Sequence, residues 1–446
     1  MRIRNFILGA FVLTLVPVSG KAQSSSINTF SPFTFYGLGD FHVQGPSNLR
    51  AMGGATAGYR RFIEPNGVIN YTNPAALSAT PRKTFHFNFG MEGSNHYLRT
   101  EDGQKTSFNT FNIRDVAFQT PLYEQLAFGF SLTPLSSVGY RAQIDETDPR
   151  VLEHLYEGGA IGAKYLYNGG GDVNQTKFSL GWEPLKRLSV GVDMIYYFGR
   201  IDRTFSTDIL TQTSDAGFVG SHVTQAERIS RIMWNFGVQY NLINNNYRQL
   251  TFGAMYSLGG RLNPEISTTL VNSLSMVQTI NNGLADNFEL PAMLTAGLSY
   301  RTWRLAAGLD YNYQGWGGLN PDSQIDGAGG SVSMKFRDVN SLRGGFEYTP
   351  DRWDVRRAWR RNTYRAGVRY GDYYMTFNDK AIRDIGVSIG LGMPIRQELR
   401  SHIDLGFEWG QRGTMRAGLI RENYFKVWIG LRLFGTDGWF QKFEFR

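Results

Sequence analysis

The chain has 446 residues, with 46 Lys and Arg against 38 Asp and Glu and a formal net charge of +8. Its lack of cysteine excludes a disulfide framework and a lipid-anchored N-terminal cysteine, while allowing an oxidising envelope. Aromatic residues make up 14% and glycines number 52, yet mean hydropathy is −0.31. Beyond the first residues no segment approaches the ~20 apolar positions of a transmembrane helix.

Residues 1–22 read as a signal peptide. Arg2 and Arg4 form a basic start, Phe6 to Val18 is apolar, and Gly20-Lys21-Ala22 offers small residues for cleavage. The apolar stretch is too short to span a bilayer as a helix; the alternative is an uncleaved anchor. Residues 23–82 do not alternate and hold Ser31-Pro32, Gly53-Gly54 and Asn73-Pro74-Ala75 beside Phe30, Phe33, Phe35, Tyr36, Phe41 and Met52. Disordered tails seldom carry so many large apolar groups. The segment is expected to be a small hatch or plug.

From 83 to 434 apolar residues alternate with polar or small ones. Trp303, Leu305, Ala307, Leu309 and Tyr311 interleave with Arg304, Ala306, Gly308, Asp310 and Asn312, and Phe425, Val427, Ile429, Leu431 and Leu433 do so with Lys426, Trp428, Gly430 and Arg432. Strands with one apolar face and one charged face predict an all-β chain, a transmembrane antiparallel β-barrel with the plug in its lumen. A soluble sandwich would bury the apolar face instead, and periodicity alone does not separate the two. The strands fall near 83–92, 108–119, 125–145, 174–182, 188–204, 228–240, 249–262, 291–300, 303–317, 332–349, 362–375, 383–393, 401–413 and 421–434. That is about fourteen, an even number as single-chain bacterial barrels have. Short turns such as 120–124, 183–187 and 301–302 alternate with long loops at Glu146–Val173, Phe205–Ala226, Asn263–Leu290 and Asn320–Gly330. Short turns belong to the periplasm and long loops to the exterior. Both termini are then periplasmic in a Gram-negative outer membrane, and 435–446 forms a tail.

The 23–82 segment resembles the N-terminal hatch of the FadL-type outer-membrane transporters of long-chain fatty acids and other hydrophobic compounds. Arg50-Ala51-Met52-Gly53-Gly54-Ala55, followed after a spacer by Asn73-Pro74-Ala75, fills the family's Arg-Ala-x-x-Gly-x-x-Ala and Asn-Pro-Ala pattern. The match covers about Asn48 to Phe89. The chain's style, including its Asp437–Lys442 tail, looks like a Bacteroidetes branch. The resemblance implies a gate formed by Arg50, Gly53, Gly54, Asn73, Pro74 and Ala75. It also implies an inward kink in the third strand through which a hydrophobic substrate leaves sideways. Pro134 cannot donate a ladder hydrogen bond, so Pro134, Ser136, Ser137 and Gly139 mark that kink. Unbroken ladder bonding through Ser136 and Ser137 would remove the window.

Enzyme chemistry is poorly supported. His42, His86, His96, His154, His222 and His402 show no metal-ligand spacing, and no Gly-x-Ser-x-Gly elbow occurs. Neither a metal nor any other cofactor is implied. Asp193, Asp404 and Glu408 on inward faces are expected in salt bridges with Arg304, Arg365, Arg369 and Arg432 rather than as an acid–base pair. Gly169-Gly170-Gly171 reads as a flexible exterior turn. A barrel in lipid makes nucleic acid an implausible partner for the basic charge. The densest run, Asp351 to Arg361, reads as an interfacial anchor or, through Arg356, Arg357, Arg360 and Arg361, as a docking surface for an envelope protein. Two functions follow: passive uptake of a hydrophobic small molecule, or a non-transporting subunit of a larger outer-membrane complex, such as type IX secretion or barrel-assembly machinery.

Overall fold

The computed structural model describes residues 28–62, 69–155, 160–211, 219–272, 277–284, 289–319, 326–327, 330–331, 334–395, 401–415 and 418–435. The segment expected to be a signal peptide, 1–22, and the expected tail beyond Gly435 lie outside the described residues.

Fourteen antiparallel strands form the wall. They are β1 Phe85–Arg99, β2 Lys105–Tyr123, β3 Leu126–Glu146, β4 Ala160–Leu185, β5 Leu188–Thr211, β6 Val219–Asn244 and β7 Arg248–Ser257. The second half is β8 Met293–Thr302, β9 Leu305–Gln314, β10 Val339–Tyr348, β11 Thr363–Phe377, β12 Lys380–Pro394, β13 His402–Gly413 and β14 Arg421–Gly435. Each of the strands expected from the alternation has its counterpart. β1 pairs with β14 from Phe85–Gly435 to Arg99–Arg421 and closes the ring.

Side chains on a strand point alternately to either face, and here the faces separate cleanly. Leu305, Leu309 and Tyr311 of β9 are exposed outward, whereas Asp310 and Asn312 are buried. On β14 Phe425, Val427 and Ile429 face out, and Trp428 and Arg432 face in. An outward apolar belt around a closed hydrogen-bonded wall is the arrangement lipid permits, since no irregular backbone then meets hydrocarbon.

Several strands outrun their predicted lengths. β4, β5 and β6 have 26, 24 and 26 residues, against 10 in each of β7, β8, β9 and β10. Much of the loops expected at Glu146–Val173 and Phe205–Ala226 is therefore strand, and Asn263–Leu290 carries a hairpin, Glu265–Asn272 with Val277–Leu284, that extends β6. The glycine run is one cause. Gly169, Gly170 and Gly171 lie in the β4 ladder opposite Tyr140, Gly139 and Val138. A Cβ on Gly169 would stand 2.1 Å from Tyr140 Cε1, so Gly169 leaves room for that ring, while Gly171, at φ +129°, lets Arg200 O of the next strand approach.

The turns at 124–125, 186–187, 245–247 and 303–304 share one end of the barrel with Phe85 and Gly435. Residues of the N-terminal segment are buried almost throughout 29–60 and 69–78. They touch inward-facing groups all round the wall: Glu92 on β1, Gly181 on β4, Asp310 on β9, Ser388 on β12 and Gly430 on β14.

Candidate functional site

Pro134 sits where the wall changes. β2 and β3 pair from Tyr123–Leu126 only as far as Val116–Leu132. Beyond that point β3 stays with β4, with one bulge between Pro134 and Ser136, and its ladder to β4 resumes through Ser136 and Ser137. The break is thus at the β2 edge of β3, not at its β4 edge. Among the described residues, Lys105–Asp115 of β2 has no ladder partner on the β3 side.

The N-terminal segment takes the vacated place. Asp40 and Phe41 pair with Ser137 and Ser136. His42 N donates to Leu135 O at 2.9 Å, Gln44 Nε2 to Pro134 O at 2.9 Å, and Ser31 N to Gly139 O at 2.9 Å. Thr34 Oγ1 donates to Gly139 O at 3.1 Å. Toward β2 the same segment receives Asn112 Nδ2 on Asn28 O at 2.6 Å and Arg114 Nη2 on Val43 O at 3.2 Å, and Phe30 stacks on Phe108. The four expected kink residues are therefore together at one seam, with Leu135 as the extra residue of the bulge.

An apolar cavity of about 420 Å³ opens in that seam between Thr106 and Phe108 of β2 and Tyr140–Ala142 of β3, with Phe30, Phe33 and Phe35 as its inner wall. A second cavity of about 210 Å³ has a mixed lining, with Asp40, His42, Arg343, Arg369, Asp384 and Arg412 beside Phe41, Leu135, Met255 and Met293. The first is lined mainly by apolar groups and suits hydrocarbon; the second carries charged groups among apolar ones. The partners of the kink, His42 and Gln44, were not visible in the sequence because they join Leu135 and Pro134 across 90 or more residues. The aromatic cluster Phe30–Phe41 was their only local signal.

Toward the short-turn end the lumen is filled. Arg50, held over Trp428 at 5.1 Å, pairs with Glu92 and reaches Asp115 at 3.5 Å. Gly53, at φ +72°, lets the backbone pass so close that a Cβ would lie 2.5 Å from Val368 O. Gly54 sits beside it at φ +84°. Thr56 N and Ala57 N both donate to Asp310 Oδ2, at 2.6 and 2.8 Å. Asn73 caps the 3-10 helix Pro74–Ala79 by accepting from Ala75 N at 3.1 Å and donates to Ala57 O at 2.8 Å. The backbone of Pro74 lies against Gly181 and Gly191. All six residues of the expected gate are buried here.

The carboxylates serve as ties. Asp404 accepts from Arg365 at 2.8 Å and Arg432 at 2.5 Å, and Glu408 from Arg369 at 2.7 Å. Asp193 accepts from Asn235 at 2.7 Å. Arg304 is the exception to expectation: it is exposed in the β8–β9 turn, because β8 runs two residues further than expected and turns at 303–304, and Arg301 reaches Glu347 instead at 3.7 Å. Among the described residues no cluster of His, Asp or Glu could hold a metal ion. Arg356, Arg357, Arg360 and Arg361 lie far from the seam along the chain, in the turn joining β10 and β11 at the short-turn end.

A closed fourteen-stranded wall with an N-terminal segment inside it defines the FadL-type barrel fold. The Pseudomonas putida toluene transporter TodX shares it at 16% identity over 90% of this chain and 99% of that one, with a TM-score of 0.54. A Pseudomonas aeruginosa FadL homologue aligns at 12% identity over 89% and 99%, TM-score 0.53. The Ralstonia pickettii toluene transporter TbuX does so at 17% over 87% and 97%, TM-score 0.51. Among functionally curated proteins none matches the chain. A family profile described as BamG matches residues 2–446, and the chain belongs to the BamG family.

Proposed function

We propose that this barrel lies in the outer membrane of a Gram-negative cell, with both termini periplasmic, and passively takes up hydrophobic compounds such as long-chain fatty acids. The apolar cavity set in the β2–β3 seam carries this reading. A ligand entering from the long-loop end meets it first. The filled lumen beyond, held by Arg50, Gly53, Gly54, Asn73, Pro74 and Ala75, leaves the seam beside Pro134, Ser136, Ser137 and Gly139 as the route out. Removal of apolar surface from water, worth roughly 25 cal/mol per Å², drives entry without an energy source. No residue is assigned to chemistry; the barrel acts as a channel and not as an enzyme.

The test uses the absence of native cysteine. Phe41 and Ser136 are ladder partners, so the double variant Phe41→Cys, Ser136→Cys brings two thiols within disulfide reach. Oxidised protein in liposomes should lose uptake of a fluorescent fatty acid and regain it on reduction. Uptake that ignores the crosslink sinks the seam as the route.

A second reading draws on the sealed lumen, which also suits a non-transporting subunit of a larger outer-membrane complex such as type IX secretion or barrel-assembly machinery. Gentle extraction followed by mass spectrometry separates the two. A lone barrel with bound apolar ligand supports uptake, and stoichiometric envelope proteins without ligand support the subunit.

A further inference from the structure

The connections at the short-turn end have two or three residues at 124–125, 186–187, 245–247 and 303–304, but the one joining β10 to β11 runs from Thr349 to Asn362. It is a built loop. Asp351 N donates to Arg360 O at 2.9 Å and closes its base. Asp354 Oδ1 accepts from the backbone of Arg356 at 2.9 Å and Arg357 at 2.8 Å, and its Oδ2 from Arg360 at 3.3 Å. Arg361 Nη1 donates to Asp354 O at 3.2 Å, and Arg352 turns back toward Glu347. Three of the five arginines between Asp351 and Arg361 are thereby used to hold the loop. The side chains of the other two, Arg356 and Arg357, are exposed and make no ion pair among the described residues.

The same framework holds apolar groups out. Trp353, Val355 and Trp359 are 62%, 74% and 54% exposed. The height of Trp359 is fixed by Tyr364, which donates from its hydroxyl to Trp359 O at 3.0 Å. Tyr364 begins the outward row of β11 that continues through Val368 and Tyr370, and it pairs with Tyr348 of the outward row of β10. Trp359 therefore stands at the end of the lipid-facing belt, where indole rings settle at the boundary of hydrocarbon and water. Free guanidinium groups at that level meet lipid phosphates.

We propose that the 349–362 loop is a binding site for an anionic phospholipid headgroup of the adjoining leaflet, with Arg356 and Arg357 on the phosphate and Trp353 and Trp359 against the upper acyl chains. Continuity with the apolar belt argues for lipid over a protein partner, because a protein surface would not require Trp359 to stand in register with Tyr348 and Tyr364. The site is independent of the uptake reading.

The full chain, purified in detergent and mixed with phosphatidylglycerol or phosphatidylcholine, is released into the mass spectrometer and its retained lipid counted. Wild type should keep phosphatidylglycerol in preference to phosphatidylcholine. Arg356→Gln with Arg357→Gln should lower retained phosphatidylglycerol by about thirtyfold, two interfacial charges being lost. Arg356→Lys with Arg357→Lys should restore most of it, and a heat-modifiable gel shift confirms that each variant is a closed barrel. Equal retention by the Gln variant overturns the site, as does equal retention of the two lipids by wild type. Recovery from native membranes of an acidic protein in place of lipid, lost in the Gln variant, also overturns it.

Discussion

Replacing Arg50 by Met tests whether the N-terminal segment is a separable body held in the wall by charge. Arg50 is 4% exposed and bonds Glu92 and, at 3.5 Å, Asp115, both buried on β1 and β2. Removing one partner of a buried ion pair costs about 3–5 kcal/mol, chiefly because the other charge is left unpaired. Two groups remain to soften that loss: Arg114 Nε stays 3.5 Å from Glu92, and Asn88 donates to Asp115. The lower end, about 3 kcal/mol, therefore applies, and it corresponds to a roughly 150-fold rise in the undocked population. The wall keeps its own ladders, so the change is local. Hydrogen exchange reads it directly at Thr56 and Ala57, whose amides donate to Asp310 at 2.6 and 2.8 Å. These amides should exchange about 150-fold faster while those of β13 do not change. Acceleration below about tenfold, or equal acceleration of segment and wall, refutes a charge-held body.

Three further substitutions or conditions bear on the same parts. Gly53→Ala places a Cβ 2.5 Å from Val368 O and 2.7 Å from Gly344 O at a φ of +72°, a strain of about 1–3 kcal/mol, and should speed exchange at Thr56 and Ala57 with the wall again silent. Asp404→Asn strips the charge from a carboxylate that holds Arg365 and Arg432, and should lower the temperature at which the barrel loses its compact gel mobility. The carboxyl of Asp354 is held below its usual range first by the N–H of Arg357, then by that of Arg356 and by Arg360. A depressed folded value stabilises the loop above the unfolded value of about 3.9, and this is lost as pH falls through the lower folded one. Protection of the Arg356 and Arg357 amides should thus persist from neutral pH to about 4 and fall only below it; loss already near about pH 6 contradicts the assignment.

The barrel was legible because its signal is local. Each wall strand writes its two environments into neighbouring residues, as Leu309-Asp310-Tyr311 does, and the strand number and closure follow from counting them. Strand length was less legible above the membrane, where both faces meet water and alternation carries no information: β4 begins at Ala160, well before the predicted residue 174. Arg304 was misplaced for a related reason, since the pattern of apolar residues runs through the short β8–β9 turn without a break. For the seam, Pro134 announced a disturbance in the ladder but not which edge of β3 it would free. That choice depends on partners at Val116 and Phe41, distant in sequence and joined only by pairing.

Three features that look unrelated along the chain answer one steric problem. A strand that leaves one neighbour while keeping the other needs an extra residue, and Leu135 is that residue, bulged between Pro134 and Ser136. The strand it keeps must yield space on the inner face, and Gly169 does so by leaving room for the ring of Tyr140. The edge that it exposes must be satisfied, because unpaired backbone groups at membrane depth cost several kcal/mol each. Asp40, Phe41 and His42 supply that pairing, with Ser31 and Thr34 further out. The N-terminal segment is thus part of the wall at the seam as well as the filling of the lumen. A chain lacking residues 28–44 should not leave an open pore behind; it should leave the β2-side edge of β3 unsatisfied at Leu135, Ser136 and Gly139, since their ladder to β4 covers only the other edge.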